Sequence, residues 1–406
     1  MFKRIKYIRY YIVFVSNFLF GMPIFIILLL INIFIKIRIS RLYSNRIGHL
    51  ILNVDNYIGL KKNKESYEYS IFVCENFIAN KDIFRRWNKL DDILLTRNFL
   101  MKNLIGFLEK FFLHSKFIIP PNELLDDYNF SLTSCSEINL WVDKKKDTKI
   151  KSYFNQIGIK EPYICLHNRD SAYLRNTKEL NDPNYDIINP NFRDFEFSDY
   201  LESIKMLSQN ETSIVRVGEA VADEFHIDDK YFFSATGKHL SSEHIIDLVY
   251  NSEFLVTGNS GFAHISRVIR KPMLLINFAP FQMHVTFHVH PANSIIIPKK
   301  VLNLENNKLL TLKEVSELPY YIHGGKDFFR ERNLKVINNT QEEISEAIME
   351  MQLHIKNLWQ DDKIQSELQS RFWESFKKNK NYDEFRYKLK TKVSSTFLKN
   401  NPDLVD

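Results

Sequence analysis

The chain has 406 residues, 45% hydrophobic and 26% charged, enough for two domains with real cores and unlike a disordered chain. Its net charge of +6, with no basic stripe on a recognisable motif, speaks against nucleic acid as the partner. The cysteines Cys74, Cys135 and Cys165 have neither a disulfide-framework nor a zinc-site spacing.

No charge interrupts the stretch from Tyr10 to Ile35, a run of about 26 residues where ~20 span a bilayer. No small-residue cleavage site follows, so residues 1–40 are expected to be a membrane anchor rather than a cleaved signal. Lys3, Arg4, Lys6 and Arg9 precede the run, and Lys36, Arg38, Arg41 and Arg46 follow it. Equal basic flanks give no orientation. Gly21-Met22-Pro23 invites a break in mid-run. Two topologies stand: a plain single span, or a helix–break–helix that enters and leaves by the cytoplasmic face.

An amphipathic stretch runs from Arg46 to about Lys62. Tyr69–Cys74 reads as a buried strand, and Lys81–Leu90 and Arg97–Phe112 as helices. The stretch from Pro120-Pro121 to Asp147 reads as connection. Strands then alternate with helices. The strands are expected at Tyr163–His167, Ser213–Gly218, Glu253–Gly258, Pro272–Asn277 and Ser294–Pro298. The helices are expected at Ser198–Gln209, Ser242–Asn251 and Gly261–Arg270. Such alternation predicts α/β domains built on parallel βαβ units. The expected division is an anchor over 1–40, an N-terminal α/β domain over 41–155, and a second over 156–340. A long helix from Gln341 to about Phe376 and a basic, frayed end complete the chain over 341–406.

Two segments carry the chemistry. Cys165-Leu166-His167-Asn168-Arg169-Asp170 and Thr257-Gly258-Asn259-Ser260-Gly261-Phe262-Ala263-His264 each read as a strand-to-helix turn. Such turns collect ligand groups at the carboxyl edge of a parallel sheet. One offers a guanidinium; the other offers Ser260 as N-cap and Gly261 at a helix N-terminus, with His264 one turn on. Together they suit a diphosphate. Arg216 in an apolar strand needs a partner, either an internal carboxylate or that ligand. Arg193 lies in a long loop from Asn176 to Asp194. His284, His288 and His290 alternate as strand neighbours do, but no carboxylate or cysteine is interleaved, and no metal is expected.

Several of these pieces, in order, resemble a family of glycosyltransferases found in bacterial surface-polysaccharide gene clusters. They are Arg46-Ile47-Gly48-His49-Leu50, the Cys165–Asp170 turn with Tyr173-Leu174, Asn191-Phe192-Arg193-Asp194 and Val215-Arg216-Val217-Gly218. Thr257–Gly261, Lys271-Pro272, Ile297-Pro298-Lys299-Lys300 and Asn338-Asn339-Thr340 continue the series. The resemblance implies a GT-B architecture, two Rossmann-like domains facing a cleft, with the acceptor on the N-terminal side. The His167–Asp170 turn is similar to the His-x-Arg turn of fucosyltransferases, and Ser260-Gly261-x-x-His264 to the donor-binding turn of heptosyltransferases. Asp170 and Ser171 stand where the fucosyltransferase turn is basic, which argues against a fucose donor.

The expected function is a membrane-attached transferase moving a sugar from a nucleotide-diphosphate donor to a glycan or lipid-linked glycan. It would be inverting, use no cofactor or metal, and have its catalytic domains on the cytoplasmic side of the bacterial inner membrane. Arg169 would stabilise the leaving diphosphate. Arg193, Arg216, Asn259, Ser260, Gly261 and His264 would complete the donor site, and His49 or His167 would be the base. One alternative is a non-catalytic sugar-nucleotide-binding or assembly protein. A lumenal transferase with Asn-x-Ser/Thr sites at Asn129, Asn210 and Asn338 is another, disfavoured by unpaired cysteines that suit a reducing cytosol.

Overall fold

In a computed structural model the chain forms two compact units, Met1–Val142 and Asp143–Asp406. The structure describes residues 2–63, 68–119, 137–141, 151–152, 154–155, 158–170, 172, 192–218, 220–236, 244–279, 281, 293–319, 327–378, 382 and 391–405.

The first unit begins with helix α1 (Phe2–Ile31), which continues through Gly21-Met22-Pro23 unbroken, as the plain-helix alternative had it and not the helix–break–helix one. Pro23 forfeits a single backbone hydrogen bond there, while the side chains that follow it are anchored. Phe25 and Leu28 join Ile39, Val73, Leu104 and Phe117 in the core of this unit. The apolar helix expected to be an anchor is therefore part of the unit rather than an appendage to it.

Strand β1 (Ile37–Leu42), helix α2 (Ile47–Asn63), strand β2 (Tyr69–Cys74), helix α3 (Lys81–Trp87), strand β3 (Ile93–Thr96) and helix α4 (Phe99–Phe111) follow. The strands are parallel in the order β1-β2-β3. Asn80 and Asn98 start α3 and α4, each accepting two backbone N–H groups on its side-chain oxygen. β1 lies within the stretch expected to flank the membrane. Its arginines mask a strand whose Ile39 and Leu42 are fully buried. Arg41 is held by Glu109, Nε to Oε1 at 3.0 Å and Nη2 to Oε2 at 2.7 Å. Beyond α4, Phe117–Ile119 returns to the free side of β1. The Ile39 N–H donates to Phe117 O at 2.8 Å, and the Ile119 N–H donates to Ile39 O at 2.9 Å, a parallel bridge. The chain thus steps from β1 to β3 in one direction and restarts on the other side of β1.

The second unit repeats this plan. β4 (Tyr163–Leu166) leads through a turn of 3-10 helix (Phe197–Tyr200) and α5 (Leu201–Gln209) to β5 (Ser213–Gly218) and β6 (Phe232–Thr236). Then come α6 (Ile245–Asn251), β7 (Leu255–Thr257), α7 (Ala263–Val268), β8 (Met273–Phe278) and β9 (Ile295–Pro298). A small antiparallel sheet, ordered β11-β10-β12, is made by β10 (Lys300–Asn303), β11 (Lys308–Leu309) and β12 (Leu334–Ile337). Helices α8 (Leu312–Glu317) and α9 (Asp327–Arg330) lie between its strands in sequence. The main sheet, which ends with β13 (Lys392–Val393), is parallel in the order β13-β9-β8-β7-β4-β5-β6. Strands β4, β5 and β7 to β9 are buried at every residue. That is why each reads as an apolar run without alternation.

The C-terminal segment differs from expectation. The long helix is two, α10 (Gln341–Ile355) and α11 (Lys363–Ser375). Asn357 takes φ 56°, and Asp362 starts the second helix with a capping box. The end is docked rather than frayed: β13 (Lys392–Val393) pairs with β9, and α12 (Ser395–Asn400) buries Phe397 and Leu398. The anchoring group is Glu350, fully buried. It accepts from Ser394 Oγ at 2.6 Å, the Ser395 N–H at 3.0 Å and the Thr396 N–H at 2.9 Å. Glu350→Ala leaves these donors without an acceptor and should cost about 3 kcal/mol of stability, measured by urea unfolding.

Candidate functional site

All strands of a parallel sheet end at one edge. Where strand order reverses, the loops leaving two neighbours diverge and open a crevice. In the second unit that point lies between β4 and β7, because β5 and β6 extend to one side and β8 and β9 to the other. The two turns singled out in the sequence leave these two strands.

His167 carries the ladder one residue past β4, its N–H donating to Val256 O at 2.9 Å. Its Nδ1 lies 2.8 Å from Thr257 Oγ1, and its ring stacks on Phe262 with centroids 4.1 Å apart. The imidazole therefore ties the two turns together. Burial, then the charges of Arg216 and Arg169, push its pKa down to about 3, so it is neutral at physiological pH and a weak base. Tyr200 OH donates to His167 O at 3.0 Å. Arg169 pairs with Asp194, not with its neighbour Asp170. Asp170 is occupied by the backbone N–H groups of Ala172 and Ala222, at 2.8 and 2.9 Å.

In the second turn, Gly258 is required by packing: a Cβ there would sit 2.6 Å from Cε1 of Phe195. Asn259 Nδ2 donates to Ala279 O at 3.1 Å, fixing the turn to the end of β8. Ser260 is not the helix N-cap. Its Oγ accepts from the Phe262 N–H at 3.2 Å, closing a local turn, and α7 starts only at Ala263. Gly261 and His264 are the half-buried positions of this segment, three residues apart.

Arg216 belongs to β5, paired with Leu166 at the end of β4, and is 1% exposed. Its guanidinium lies over the Phe197 ring at 3.9 Å. Among the described residues, its Nε and Nη1 find no hydrogen-bond partner. Burial lowers its pKa, opposed by Asp170, Asp223 and Glu224. A buried cation with orphaned donors is costly unless an anion meets it. Arg193 is half-buried, next in sequence to Asp194.

Sequence reasoning missed Lys299 as a site residue. It is 4% exposed at the end of β9 and donates to Asp194 O at 2.9 Å and Asn338 Oδ1 at 2.8 Å. Burial is the main cause that lowers its pKa to about 8, with Arg169 adding to the effect. Asp199 faces it across Asn277 and Asn338, whose amides lie 3.5 and 3.4 Å from its Oδ2. A lysine closing an all-apolar run, Ile295–Pro298, was the available signal. Three cations, Arg169, Arg216 and Lys299, thus stand at the carboxyl edge of one sheet.

His49 belongs to the first unit. It is half-buried in the first turn of α2, directly after β1, with its ring 5.8 Å from that of Tyr43. β1 is flanked by β2 and by Phe117–Ile119, so His49 sits at that unit's own reversal point.

Among the described residues, no three His, Cys, Asp or Glu side chains are grouped to hold a metal. His284, His288 and His290, most of the loop from Asn176, Tyr173-Leu174 and Cys135 lie outside the described residues.

No protein-family model matches the sequence, and no curated protein matches it. Solved structures do. ADP-heptose lipopolysaccharide heptosyltransferase II of E. coli aligns at 11% identity and TM-score 0.47, covering 79% of this chain and 100% of that one. A glycosyl transferase family 9 protein of Veillonella parvula aligns at 11% identity and TM-score 0.48, covering 79% and 97%. E. coli heptosyltransferase WaaC with ADP aligns at 10% identity and TM-score 0.39, covering 73% and 100%.

The His167 shift has a measurable sign. Its folded pKa lies below the ordinary 6.5, so between about pH 3 and 6.5 the unfolded chain binds the extra proton and stability falls as pH falls. From pH 7 to pH 5 the loss from this group should be about 2 kcal/mol. Urea unfolding of wild type and His167→Asn at both pH values checks it: the difference should shrink in the variant.

Proposed function

We propose that this chain is a membrane-attached glycosyltransferase taking its sugar from a nucleotide-diphosphate donor bound in the second unit. One observation carries the reading. The turn that carries Arg169 and the turn from Thr257 to Gly261 leave neighbouring strands at the β4/β7 reversal point, beside Arg216, two of whose donors have no partner among the described residues. Each catalytic requirement has a residue. Arg216 and Arg169 meet the diphosphate, with Arg193, Asn259, Ser260, Gly261 and His264 around the turn and the loop. Asp194, whose backbone carbonyl accepts from Lys299, holds Arg169 in place.

In the reaction an acceptor hydroxyl oxygen attacks the anomeric carbon. The bond from that carbon to the diphosphate oxygen breaks, and the electron pair leaves with the nucleoside diphosphate. Arg169 and Arg216 stabilise the charge that grows on that oxygen. The hydroxyl proton passes to a base. With a pKa of about 3, His167 is a poor recipient, so His49 of the first unit is the proposed base. Charge stabilisation by arginines needs no divalent metal. The acceptor is a surface glycan or a lipid-linked glycan, and both units are cytoplasmic.

Nucleoside diphosphates should raise the unfolding temperature of the purified chain. A ligand at about 100 times its Kd adds about 2.7 kcal/mol. A panel of UDP, GDP and ADP, with the monophosphate CMP for comparison, identifies the nucleobase; no shift with any of them contradicts a nucleotide donor, and a shift with CMP alone contradicts a diphosphate. Arg169→Ala should lower transfer about a hundredfold or more, with urea unfolding showing that the variant, although it loses the Asp194 pair, is still folded under assay conditions. Wild-type transfer by that variant refutes the role. Excess chelator should leave transfer unchanged; loss restored by Mn²⁺ or Mg²⁺ would establish a metal requirement. A protein that binds the nucleotide yet never transfers would be the non-catalytic alternative.

A further inference from the structure

The apolar stretch Tyr10–Ile31 is long and apolar enough to cross a membrane, yet it does not stand apart from the fold. It lies along α4. Gly21 and Gly106 bring the helices together: a Cβ on Gly21 would be 2.5 Å from Phe107 Cβ, and one on Gly106 would be 2.4 Å from Asn17 Nδ2. Ser16 Oγ donates to Asn103 Oδ1 at 2.7 Å, so both strongly polar side chains of the stretch are turned to α4. Gly21 serves this contact rather than a break in the helix.

Away from α4 the helix is apolar and bare. Ile12, Leu19, Ile26, Ile27 and Leu30 are all exposed. Exposed residues at the two ends of α4 extend the same surface. Phe99 meets Phe20 at 5.5 Å between centroids, Phe111 meets Phe14 at 6.1 Å, and Phe112 meets Phe25 at 4.7 Å. Apolar surface of this extent marks an interaction site.

A span across the bilayer conflicts with this packing. α4 has 13 residues, about 20 Å of helix. It carries Lys102, Glu109 and Lys110, and Glu109 holds Arg41 of β1. An α1 standing across the bilayer would draw these charges, and the β1 edge with them, to hydrocarbon depth, at about 3 kcal/mol for each central charge. Parting α1 from α4 would expose Phe107, Leu104 and the buried Phe25 and Leu28. An α1 lying along the surface satisfies both helices. It also accounts for the basic flanks: a chain that enters and leaves on one side keeps Lys3, Arg4, Lys6 and Arg9 before the stretch, and Lys36 after it, on the same side of the bilayer. Exposed Lys110 and Lys116 border the same face.

We propose that α1 and α4 form a single-leaflet docking face, with α1 lying in the plane of the membrane and both its ends on the side of the two α/β units. Its occupant is one leaflet containing anionic lipid. The inference rests on the membrane-attachment reading above but not on sugar transfer. It sets the first unit against the layer in which a lipid-linked acceptor is found.

The test uses the full chain with Cys135→Ser and single cysteines at Phe2 or Asp403. Cys74 and Cys165 are buried, and burial pushes both thiols up to about 12, so they give little background. In intact cells an impermeant maleimide should label neither position, and both should react equally once the membrane is opened. Labelling of Phe2→Cys alone in intact cells establishes a span and overturns the proposal. The purified chain should float with phosphatidylcholine vesicles containing phosphatidylglycerol, and bind about tenfold or more weakly without the anionic lipid. A chain that does not float and sediments as a dimer would make this face a protein interface instead. Gly21→Leu should lower the unfolding temperature of the vesicle-bound protein, because it wedges α1 from α4. An unchanged temperature would show that α1 is independent of α4 and overturn the docking face.

Discussion

The pairing of β4 with β7 is the contact on which the candidate site depends. Cys165 lies beside Leu255 and Leu166 beside Val256, in strands separated by some ninety residues of chain. Because the ladder is parallel, both strands end at one edge, and because the order reverses there, their loops part. His167 then locks the turns to each other through Thr257 and Phe262. The first turn brings the charge of Arg169 to this edge, and the second brings Asn259, Ser260 and Gly261.

The charges at this edge are arranged at a cost. Arg216 is almost fully buried, with a phenyl ring on one face and, among the described residues, no partner for its Nε and Nη1. Lys299 is buried with its ammonium on a backbone carbonyl and an amide oxygen, its full carboxylate partner being more distant. A fold under selection for stability alone gains nothing from such placements. Asp194 and Asp199 offset part of the positive charge. Burial, aided by the charges of Arg216 and Arg169, holds His167 neutral, and its contacts to Thr257 and Phe262 make it a strut between the turns.

Legibility in the sequence followed burial. The strands of the second unit are covered on both faces, so their apolar runs stood out, and Ser213–Gly218 matched residue for residue. β1 was hidden because it is short and carries two arginines against a hydrophobic neighbour, so periodicity favoured a membrane flank. β6 and the small antiparallel sheet are short and half-exposed, leaving no clear period. The turn residues were visible as residue types in the right places, but their partners were not. The pairing of Arg169 with Asp194 rather than Asp170, and the commitment of Ser260 to its own turn, depend on chain returning from a distance. The packing of α1 on α4 is of the same kind. The glycines that permit it were visible, and their meaning was not.

The central claim is that a nucleoside diphosphate sits at the β4/β7 reversal point. Amide hydrogen exchange of the full chain, with and without the nucleotide that binds, tests it most directly. The account predicts slowed exchange in peptides covering Cys165–Asp170 and Thr257–His264, with smaller protection at Ser213–Gly218. Protection confined to Tyr43–Leu50 of the first unit, or to the C-terminal helices, would contradict it.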